Sequence, residues 1–189
     1  MNGRTFFKKF SYVVVVLSKT LSLPPKFILV FLLDVLSLFP SKIGVLLRYI
    51  VLKAICPNIG SNIYIGRFVV FKNFIGLSIG NNVSIHDYSY IDAIGGVEIG
   101  NDVSIAHSSS IISFEHIYDE IGTPIKYSGL VLGKIKVEND VWIGCGVRVL
   151  SNSHIKNRTI IAAGSVVRGH LESSSVYAGV PVRKVKGLK

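Results

Sequence analysis

The sequence predicts an all-β solenoid, in which short strands wind into stacked coils, from three observations. One four-residue phrase recurs every twenty residues, at Ile59–Asn62, Ile79–Asn82 and Ile99–Asp102. Between these phrases an apolar residue falls on every sixth position. We call each such apolar residue a beat, and from Val137 the beats again follow one another at six residues without insertions. A fixed internal period is the signature of a stacked repeat, and a period of six is typical of a β-helix.

The apolar beats predict how many coils there are. None of the fifteen beats is polar, and three hexads make one triangular coil of eighteen residues, so we expect five coils. Two-residue extras at 77–78 and 97–98 predict small bulges at one corner. A β-sandwich is disfavoured, because its strands would vary in length. The beats are Ile59, Ile65, Phe71, Ile79, Ile85, Ile91, Ile99, Ile105, Ile111, Val137, Ile143, Val149, Ile155, Ile161 and Val167.

Turn-forming residues follow the beats at fixed places. The position after a beat is often glycine, which suits either a positive φ or a close backbone approach. These glycines are Gly60, Gly66, Gly80, Gly100 and Gly144. Two places later Asn or Asp is common, and both tolerate left-handed conformations. These residues are Asn62, Asn82, Asp102 and Asp140. The pattern places the corners of the coil just after the beats.

Residues 1–56 differ from the rest of the chain. The whole sequence has a mean hydropathy of +0.51 and a net charge of +10, and residues 1–56 hold eight Lys and Arg residues against one acid, Asp34. The apolar runs Tyr12–Leu17 and Phe27–Phe39 are shorter than the roughly twenty residues that a spanning helix needs. Lys8 and Lys9 precede an apolar run, as in a signal peptide, but no cleavage site of the A-x-A type follows.

The spacing of apolar residues predicts an amphipathic helix near residue 50. Its expected apolar face is Ile43, Leu46, Leu47, Ile50, Val51 and Ala54, with Lys42, Arg48, Tyr49 and Lys53 mostly elsewhere. A basic, apolar helical segment favours peripheral contact with an anionic membrane. A helical cap over the first coil, or an oligomer contact, is the alternative. Nucleic acid is disfavoured as a partner, because the basic residues are embedded in apolar runs.

The beat is interrupted once, between Ile111 and Val137, and the segment 112–136 is longer than one side of a coil. Insertions into repeat proteins map to loops on one face and often carry function. This segment contains His116, and histidine is the side chain that titrates near neutral pH without assistance. Glu115, Asp119 and Glu120 are nearby acids that could orient it, and the sequence does not choose among them. The segment is therefore the candidate active-site loop.

Four motifs in this order resemble those of the hexapeptide-repeat acyltransferases, and most closely their O-acetyltransferase branch that acts on sugars and polysaccharide precursors. Ile111–Asp119 resembles the histidine-bearing loop, and Val141–Gly144 resembles the segment VWIG. Ala163–Val167 resembles GAGSVV, and Ala178–Arg183 resembles the C-terminal AGVP box. Together the motifs cover about residues 57–186.

The resemblance implies a left-handed parallel β-helix that assembles as a homotrimer, with active sites in the clefts between subunits. It implies acetyl-CoA as co-substrate, no metal, and a sugar or polysaccharide-precursor acceptor. His116 falls on the catalytic histidine. The positions that would hold the cofactor are Trp142, Gly144, Cys145, Ala163, Gly164, Arg168 and Arg183. The positions that would contact the acceptor are His86, Glu115 and Tyr118. Backbone N–H groups near Gly144 and Cys145 would hold the oxyanion.

The chain departs from the family pattern near its end. Arg168-Gly169-His170 stands where the family often has Lys-Asp, so Arg168 either replaces that lysine or loses the contact with CoA phosphate. The expected organisation is a helical segment at 1–56, a β-helix at 57–176 and a tail at 177–189. With only Cys56 and Cys145 and no CxxC, a reducing, cytoplasmic setting is expected, at the inner face of the membrane.

Other functions fit the sequence less well. One is acetylation of a small molecule, such as a free sugar, a nucleotide-linked amino sugar or an antibiotic. Another is a metal hydrase like the γ-class carbonic anhydrases, for which His86, His107 and His116 are the candidate ligands. Their spacings do not place them at equivalent corners. His107 is expected to be a surface histidine, and the alternative is that it lines the same cleft as His116. A scaffold without catalytic activity is the third alternative.

Overall fold

The beat of six folds into a parallel β-helix in the computed structural model, which describes residues 11–21, 23–56 and 58–188. Three helices precede the coils: α1 (Ser11–Leu21), α2 (Lys26–Leu36) and α3 (Ser41–Ile55). The signal-peptide pattern at Lys8 and Lys9, and the first position of the expected β-helix at 57, lie outside the described residues. The predicted fold class, a β-solenoid with an N-terminal helical segment, is confirmed.

The strands are short, as a coil with tight corners requires. In chain order they are β1 (Tyr64–Ile65), β2 (Val70–Lys72), β3 (Leu77–Ile79), β4 (Ser84–Ile85), β5 (Tyr90–Asp92), β6 (Val97–Ile99), β7 (Ser104–Ile105), β8 (Ser110–Ile112), β9 (Phe114–His116), β10 (Leu130–Leu132), β11 (Ile135–Val137), β12 (Trp142–Ile143), β13 (Arg148–Val149), β14 (His154–Ile155), β15 (Thr159–Ile161), β16 (Val166–Val167), β17 (His170–Leu171), β18 (Ser175–Ala178) and β19 (Arg183–Gly187).

Three sheets form the sides of the solenoid. Sheet 1 has the order β1-β4-β7-β12-β15-β18-β19, sheet 2 the order β2-β5-β8-β13-β16, and sheet 3 the order β3-β6-β11-β14-β17. All these pairs are parallel except β18 with β19, which is antiparallel. The boundary expected at 176/177 falls inside β18, so the last strand pair continues sheet 1.

The apolar beats form the core, as predicted. Each of the fifteen is at most 5% exposed, and Ile105 and Ile111 are fully buried. The expected number of five coils is too small, because sheet 1 contains six parallel strands. Leu171 and Tyr177 fill the sixth coil and are also buried. The step from Val167 to Leu171 is four residues rather than six, which hid this coil from the periodicity.

The corners explain the glycines and the Asn and Asp residues. Asn62, Asn82, Asp102 and Asp140 all have φ between 55° and 58°, as predicted. The beat-following glycines serve close approach instead: a Cβ on Gly60 would lie 2.3 Å from the carbonyl oxygen of Gly80. Glycine is needed there because the backbones of successive coils nearly touch.

The extra residues of the first two coils lie at one corner, as expected, but not at 77–78 and 97–98. Those positions belong to strands β3 and β6, and Leu77 and Val97 are buried. The extra length falls in the turns between sheets 2 and 3, at 73–76 and 93–96, where Phe74–Gly76 form one turn of 3-10 helix. The strands begin at Leu77 and Val97 because these apolar residues are buried, so the extra residues lie before them in the chain.

Helix α3 caps the first coil. The Tyr49 hydroxyl donates to the carbonyl of Gly60 at 2.8 Å, and Lys53 Nζ donates to that of Ile59 at 2.7 Å. Burial raises the pKa of Tyr49 to about 12, so its hydroxyl remains a donor. These side chains satisfy carbonyls that an open first coil would leave without partners. The capping alternative raised by the sequence is therefore realised.

The predicted apolar face of α3 is partly wrong. Arg48 and Tyr49 are buried, whereas Ile43 is 67% exposed and Leu47 is exposed as well. Helix α3 packs against α1 and α2 as well as against β1, so it is enclosed on several sides. An amphipathic pattern assumes one buried face, and that assumption fails for an enclosed helix.

Arg48 links the helices to the β-helix. Its Nε donates to the carbonyl of Ile65 at 3.0 Å, and its Nη1 donates to the carbonyls of Leu36 and Phe39 at 2.9 and 3.0 Å. The latter two carbonyls lie at and beyond the C-terminal end of α2, where backbone acceptors lack helical partners. Burial lowers the pKa of the Arg48 guanidinium. One buried cation thus joins α2, α3 and the first coil.

In the described part of the chain, no helix combines the length and the apolar character that are needed to cross a bilayer.

Replacing Arg48 with Met is expected to destabilise the helical cap. The carbonyls of Ile65 and Phe39 would lose their donor, whereas that of Leu36 would keep the N–H of Phe39, and leaving two buried acceptors unpaired costs at least about 2 kcal/mol in total. The measurement is urea unfolding followed by circular dichroism. Arg158→Met is the matched control, because Arg158 lies at the surface against Asp140 and exposed pairs contribute about 1 kcal/mol or less. Equal losses in both variants would contradict the assigned role of Arg48.

Candidate active site

An apolar groove of about 490 Å³ lies at the corner between sheets 1 and 2. It brings together four of the seven residues that the sequence assigned to cofactor binding: Trp142, Gly144, Cys145 and Ala163. We call this corner the groove edge. One residue of each of the six coils follows the buried residue of sheet 1 there: Gly66, His86, Ala106, Gly144, Ala162 and Ala178. The side chain of Trp142 points outward from β12 and is 54% exposed, so it forms an open wall.

Small residues form the floor of the groove for a steric reason. A Cβ on Gly144 would lie 2.7 Å from the backbone nitrogen of Ala163 and from the carbonyl oxygen of Ile161. Gly164 has a φ of +70°, and its N–H donates to the carbonyl of Cys145 at 2.8 Å. A side chain is therefore excluded at Gly144 by the next coil, and glycine is favoured at position 164 by its positive φ. A long, thin ligand could lie against the backbone here.

Two further predicted residues lie along the groove edge. His86 is exposed, and its ring packs at a tilt of 40° against that of Tyr64. It lies two coils before Gly144, which is roughly 10 Å away at the usual strand spacing. Arg183 is exposed and pairs with Ala178, two strand spacings beyond Ala162. The groove edge therefore carries a histidine before the apolar groove and an arginine after it.

Sequence reasoning missed part of the groove. Ala106, Ile160 and Ala162 line it, and so does His107, which was expected to be a surface histidine. His107 is exposed, and its carbonyl accepts the N–H of Gly146 at 3.0 Å. The signal existed in the sequence: Ala106 and Ala162 occupy the same position after the beat as Gly144.

The amide of Gly144 has a hydrogen-bond partner within the fold. Its N–H donates to the carbonyl of Ile161 at 2.8 Å, as part of the stacking of coils. Stacking thus uses the amide of Gly144, one of the two residues near which the oxyanion was expected to be held.

The interrupting segment is a β-hairpin at the corner between sheets 2 and 3, which we call the hairpin edge. Strand β9 pairs antiparallel with β10, with His116 opposite Leu130 and Glu115 opposite Val131. Fully buried Ser113 roots it: the Ser113 Oγ donates to the carbonyl of Asp92 at 2.8 Å and accepts the N–H of Gly95 at 2.9 Å. The hairpin therefore rests on coil two, which directly precedes the coil that carries it.

Glu115 holds the hairpin to the two coils on its other side. Its Oε1 accepts the hydroxyl of Ser151 at 2.7 Å and also accepts a hydrogen bond from Arg168. The bond from Arg168 is the main cause that lowers the pKa of the Glu115 carboxyl, followed by that from Ser151. Glu115, expected to bind substrate, and Arg168, expected to bind cofactor, are thus bonded to each other. Arg168 lies on the hairpin edge, away from the apolar groove.

His116 projects into solvent beside Phe114, whose ring centroid lies 6.3 Å from that of the imidazole. Side chains alternate along a strand, so His116 and Phe114 share one side of β9 and Glu115 faces the other. Glu115 is therefore not the acid that orients His116. Within the described residues no carboxylate is hydrogen-bonded to His116. Tyr118, farther along the hairpin, is 76% exposed.

The two halves of the predicted site lie at different corners of one chain. The hairpin edge carries His116, Glu115 and Arg168, whereas the groove edge carries Trp142 and Cys145. The three histidines considered as metal ligands are divided in the same way, with His86 and His107 on the groove edge. In residues 11–21, 23–56 and 58–188, no three His, Cys, Asp or Glu side chains are grouped as a metal site requires.

Comparison with known proteins confirms the resemblance found in the sequence. Residues 134–169 match the family model described as "Bacterial transferase hexapeptide (six repeats)". A solved structure of a hexapeptide-repeat acetyltransferase from Vibrio cholerae, in complex with acetyl-CoA, superposes with a TM-score of 0.76 at 21% identity. That superposition covers 85% of this chain and 86% of the other, and at this identity it shows the fold.

Two curated relatives match parts of the chain. A probable acetyltransferase of Mycobacterium tuberculosis is 34% identical over 76 residues, which is 40% of this chain and 25% of that protein. An Escherichia coli K12 protein, named for O-acetyl transfer in lipopolysaccharide biosynthesis, is 37% identical over 62 residues. That match covers 33% of this chain and 29% of the relative. The matches thus span little more than a quarter of the length of either relative.

The Glu115 anchor predicts a dependence of stability on pH. The pKa of Glu115 is lower in the folded chain than in the unfolded chain, so its stabilisation is present above the unfolded pKa and is lost as the pH falls through the folded pKa. Compared with Glu115→Gln, the wild type should melt at most about 4 °C higher at neutral pH, because the pair is partly exposed. The difference should vanish in acid.

Calorimetric melting of the wild type and of Glu115→Gln, from neutral pH down to acid, measures the effect. Arg168→Met should give a similar loss, and the double variant should lose little more, because both changes remove one interaction. Additive losses would show that Glu115 and Arg168 act independently.

Proposed function

We propose that this hexapeptide-repeat protein is an acetyltransferase that transfers the acetyl group of acetyl-CoA to a sugar hydroxyl. The observation that carries the proposal is the groove edge. There a 490 Å³ apolar groove is floored by Gly144 and Ala163, walled by Trp142 and followed by the exposed cation Arg183. A pantetheine arm is long, thin and largely apolar, and the phosphates at its far end need positive charge. The order of groove and cation matches that ligand.

His116 supplies the chemistry that such a ligand requires. Its imidazole would accept the proton of the sugar hydroxyl while that oxygen attacks the thioester carbonyl. The new C–O bond forms, the C–S bond breaks, and the CoA thiolate takes up a proton. No covalent acyl-enzyme is needed, because donor and acceptor are bound together. The exposed position of His116 on a strand leaves it open to an incoming sugar.

A second copy of the chain completes this site. In one chain His116 and the groove lie at different corners, so one subunit must offer its hairpin to the groove of another, as in a homotrimer. The hairpin is suited to an interface, because seven of its large apolar side chains are exposed. They are Tyr118, Ile121, Ile125, Tyr127, Leu130, Val131 and Leu132.

The acceptor is a sugar of a surface polysaccharide precursor, such as capsule, O-antigen or exopolysaccharide, modified at the inner face of the cytoplasmic membrane. The relative named for lipopolysaccharide O-acetylation supports this substrate class. The basic, apolar residues 1–56 support the location. Acetylation of a small molecule is the second candidate, since the groove and His116 would serve it equally.

His116→Ala should lower kcat by about 10²–10⁴-fold, because general-base catalysis contributes this much. The assay is release of the CoA thiol in the presence of a panel of sugars. Binding of CoA, measured by calorimetry, should be nearly unchanged, because the imidazole acts on the acceptor hydroxyl while the groove residues hold the pantetheine arm. His170→Ala is the control, since His170 is an exposed histidine on sheet 3. If His116→Ala keeps full activity, His116 is not the general base.

Ala163→Leu should weaken the binding of CoA and leave the general base His116 intact, which is the reverse of the effect of His116→Ala. Ala163 is exposed in the groove, so a larger side chain would fill the groove without entering the core. We expect CoA binding to weaken about tenfold or more, which corresponds to about 1.4 kcal/mol.

Mixing the two variants tests the shared site. Mixed oligomers of His116→Ala and Ala163→Leu chains contain sites with one intact hairpin and one intact groove. They should therefore regain activity at limiting acetyl-CoA. A mixture no more active than its parents would contradict a site between subunits.

A further inference from the structure

We propose that the outward surface of the N-terminal helices docks on an anionic lipid bilayer, and that the acceptor sugar reaches His116 as the head group of a membrane-borne lipid. The inference rests on the proposed acetyl transfer and adds the physical form of its acceptor. Three observations carry it: the exposed apolar residues of the helices, the charge around them, and an apolar groove below the hairpin.

The helices expose an unusually large apolar surface. Thirteen large apolar side chains between residues 12 and 47 are at least 37% exposed. Helix α1 is apolar around most of its circumference, but of its described side chains only Val14 and Ser18 are buried. We call the exposed set the cap surface: Tyr12, Val13, Val15, Val16, Leu17, Leu23, Phe27, Ile28, Phe31, Leu38, Phe39, Ile43 and Leu47. Exposed apolar surface on this scale marks a docking face.

Charge identifies the occupant of the cap surface. Exposed Lys19, Lys26 and Lys42 lie at the ends of the three helices, and residues 1–56 carry a net charge of +7. Apolar side chains with a basic border are typical of helices that lie in a membrane interface. Asp34, the one acid of residues 1–56, is also exposed and offsets one of these charges. Two copies placed face to face would bring like charges together, whereas anionic lipid offers the opposite charge.

An apolar groove of about 400 Å³ connects the cap surface with the hairpin edge. It begins at Lys26, beside exposed Phe27, and passes Ile75 and Ile94, which are 87% and 41% exposed. Its upper end meets the base of the hairpin, since Gly95 packs directly against the backbone of Ser113. Nothing in the binding of acetyl-CoA uses this groove, which is on the other edge.

The dimensions suit a lipid-linked acceptor. Ile75, Ile94 and Ser113 lie on three successive coils of the hairpin edge, so the groove rises roughly 10 Å from the first coil to the hairpin. A lipid chain held at the cap surface could follow Ile75 and Ile94 upward. Its sugar would then arrive at His116, beyond the upper end of the groove.

The docking test is co-sedimentation of the full chain with vesicles of phosphatidylcholine alone or of an equimolar mixture with phosphatidylglycerol. We expect tighter binding to the anionic vesicles, weakened by salt. Phe27→Asp/Phe31→Asp should weaken binding about tenfold or more, because two apolar anchors are lost. Tyr88→Asp/Val185→Asp is the matched control: both residues are 62% exposed and lie outside the cap, so binding should be unchanged.

Other outcomes overturn the proposal. Wild type that stays in the supernatant, or that binds both vesicle types equally, would exclude docking on anionic lipid. If the Phe27→Asp/Phe31→Asp variant changes oligomeric state in light scattering without vesicles, a second copy covers the cap surface instead. Circular dichroism confirms that each variant is folded.

The acceptor is tested with the sugar that supports thiol release, offered free and as its dodecyl glycoside. The alkyl chain should lower KM about tenfold, and Ile75→Asp/Ile94→Asp should remove that gain while leaving KM for the free sugar unchanged. Equal KM values for the two acceptors in the wild type would exclude the groove as a lipid path. Failure of all thiol release would instead count against the acetyltransferase itself, and vesicle binding is measured independently of it.

Discussion

Hydrogen bonds between successive coils are the interaction on which the rest of this protein depends. Each coil donates to the next at every strand, and the corners add a ladder of asparagines. Oδ1 of Asn81, Asn101, Asn139 and Asn157 each accepts a backbone N–H from the preceding coil, at 2.7–2.9 Å. At Gly60, Gly80 and Gly100 the backbones of successive coils lie so close that a Cβ would clash with the next coil. The sequence repeats because each coil needs residues of the same kind to make its contacts with the next coil.

The stacking tolerates an insertion as long as the register is restored. In sheet 3, Ile79 pairs with Ile99, which is twenty residues later in the chain. Ile99 pairs in the same register with Val137, although the whole hairpin lies between them in sequence. The hairpin leaves the coil after β8 and returns at β11, so the core beneath it is continuous. Ser113 below and the Glu115 anchor to Ser151 and Arg168 above then hold it against the edge. A rigid solenoid thus presents an exposed histidine on a supported loop.

The triangular cross-section separates functions by edge. One edge carries small residues and a groove, the next carries the hairpin, and the helices close the end of the first coil. Arg48 is central to that closure, because a single buried guanidinium serves carbonyls of α2 and of the first coil. The helices thus pack inward through a cation as well as through apolar contacts. Much of their apolar surface faces outward. That surplus is what distinguishes this end of the molecule.

The sequence by itself determined the solenoid, its core residues and its corner residues, because each repeats with the coil and periodicity makes it visible. It also singled out His116, since an interruption stands out against a repeat. Only the tertiary structure decided that Glu115 pairs with Arg168, that the amide of Gly144 is used in stacking, and that Arg48 is buried. Glu115 and Arg168 are 53 positions apart, and Arg48 donates to carbonyls that are 9, 12 and 17 positions away. A periodic pattern shows which residues share a face, but not which non-repeating side chains meet across it, and so the site's partners follow from the packing alone.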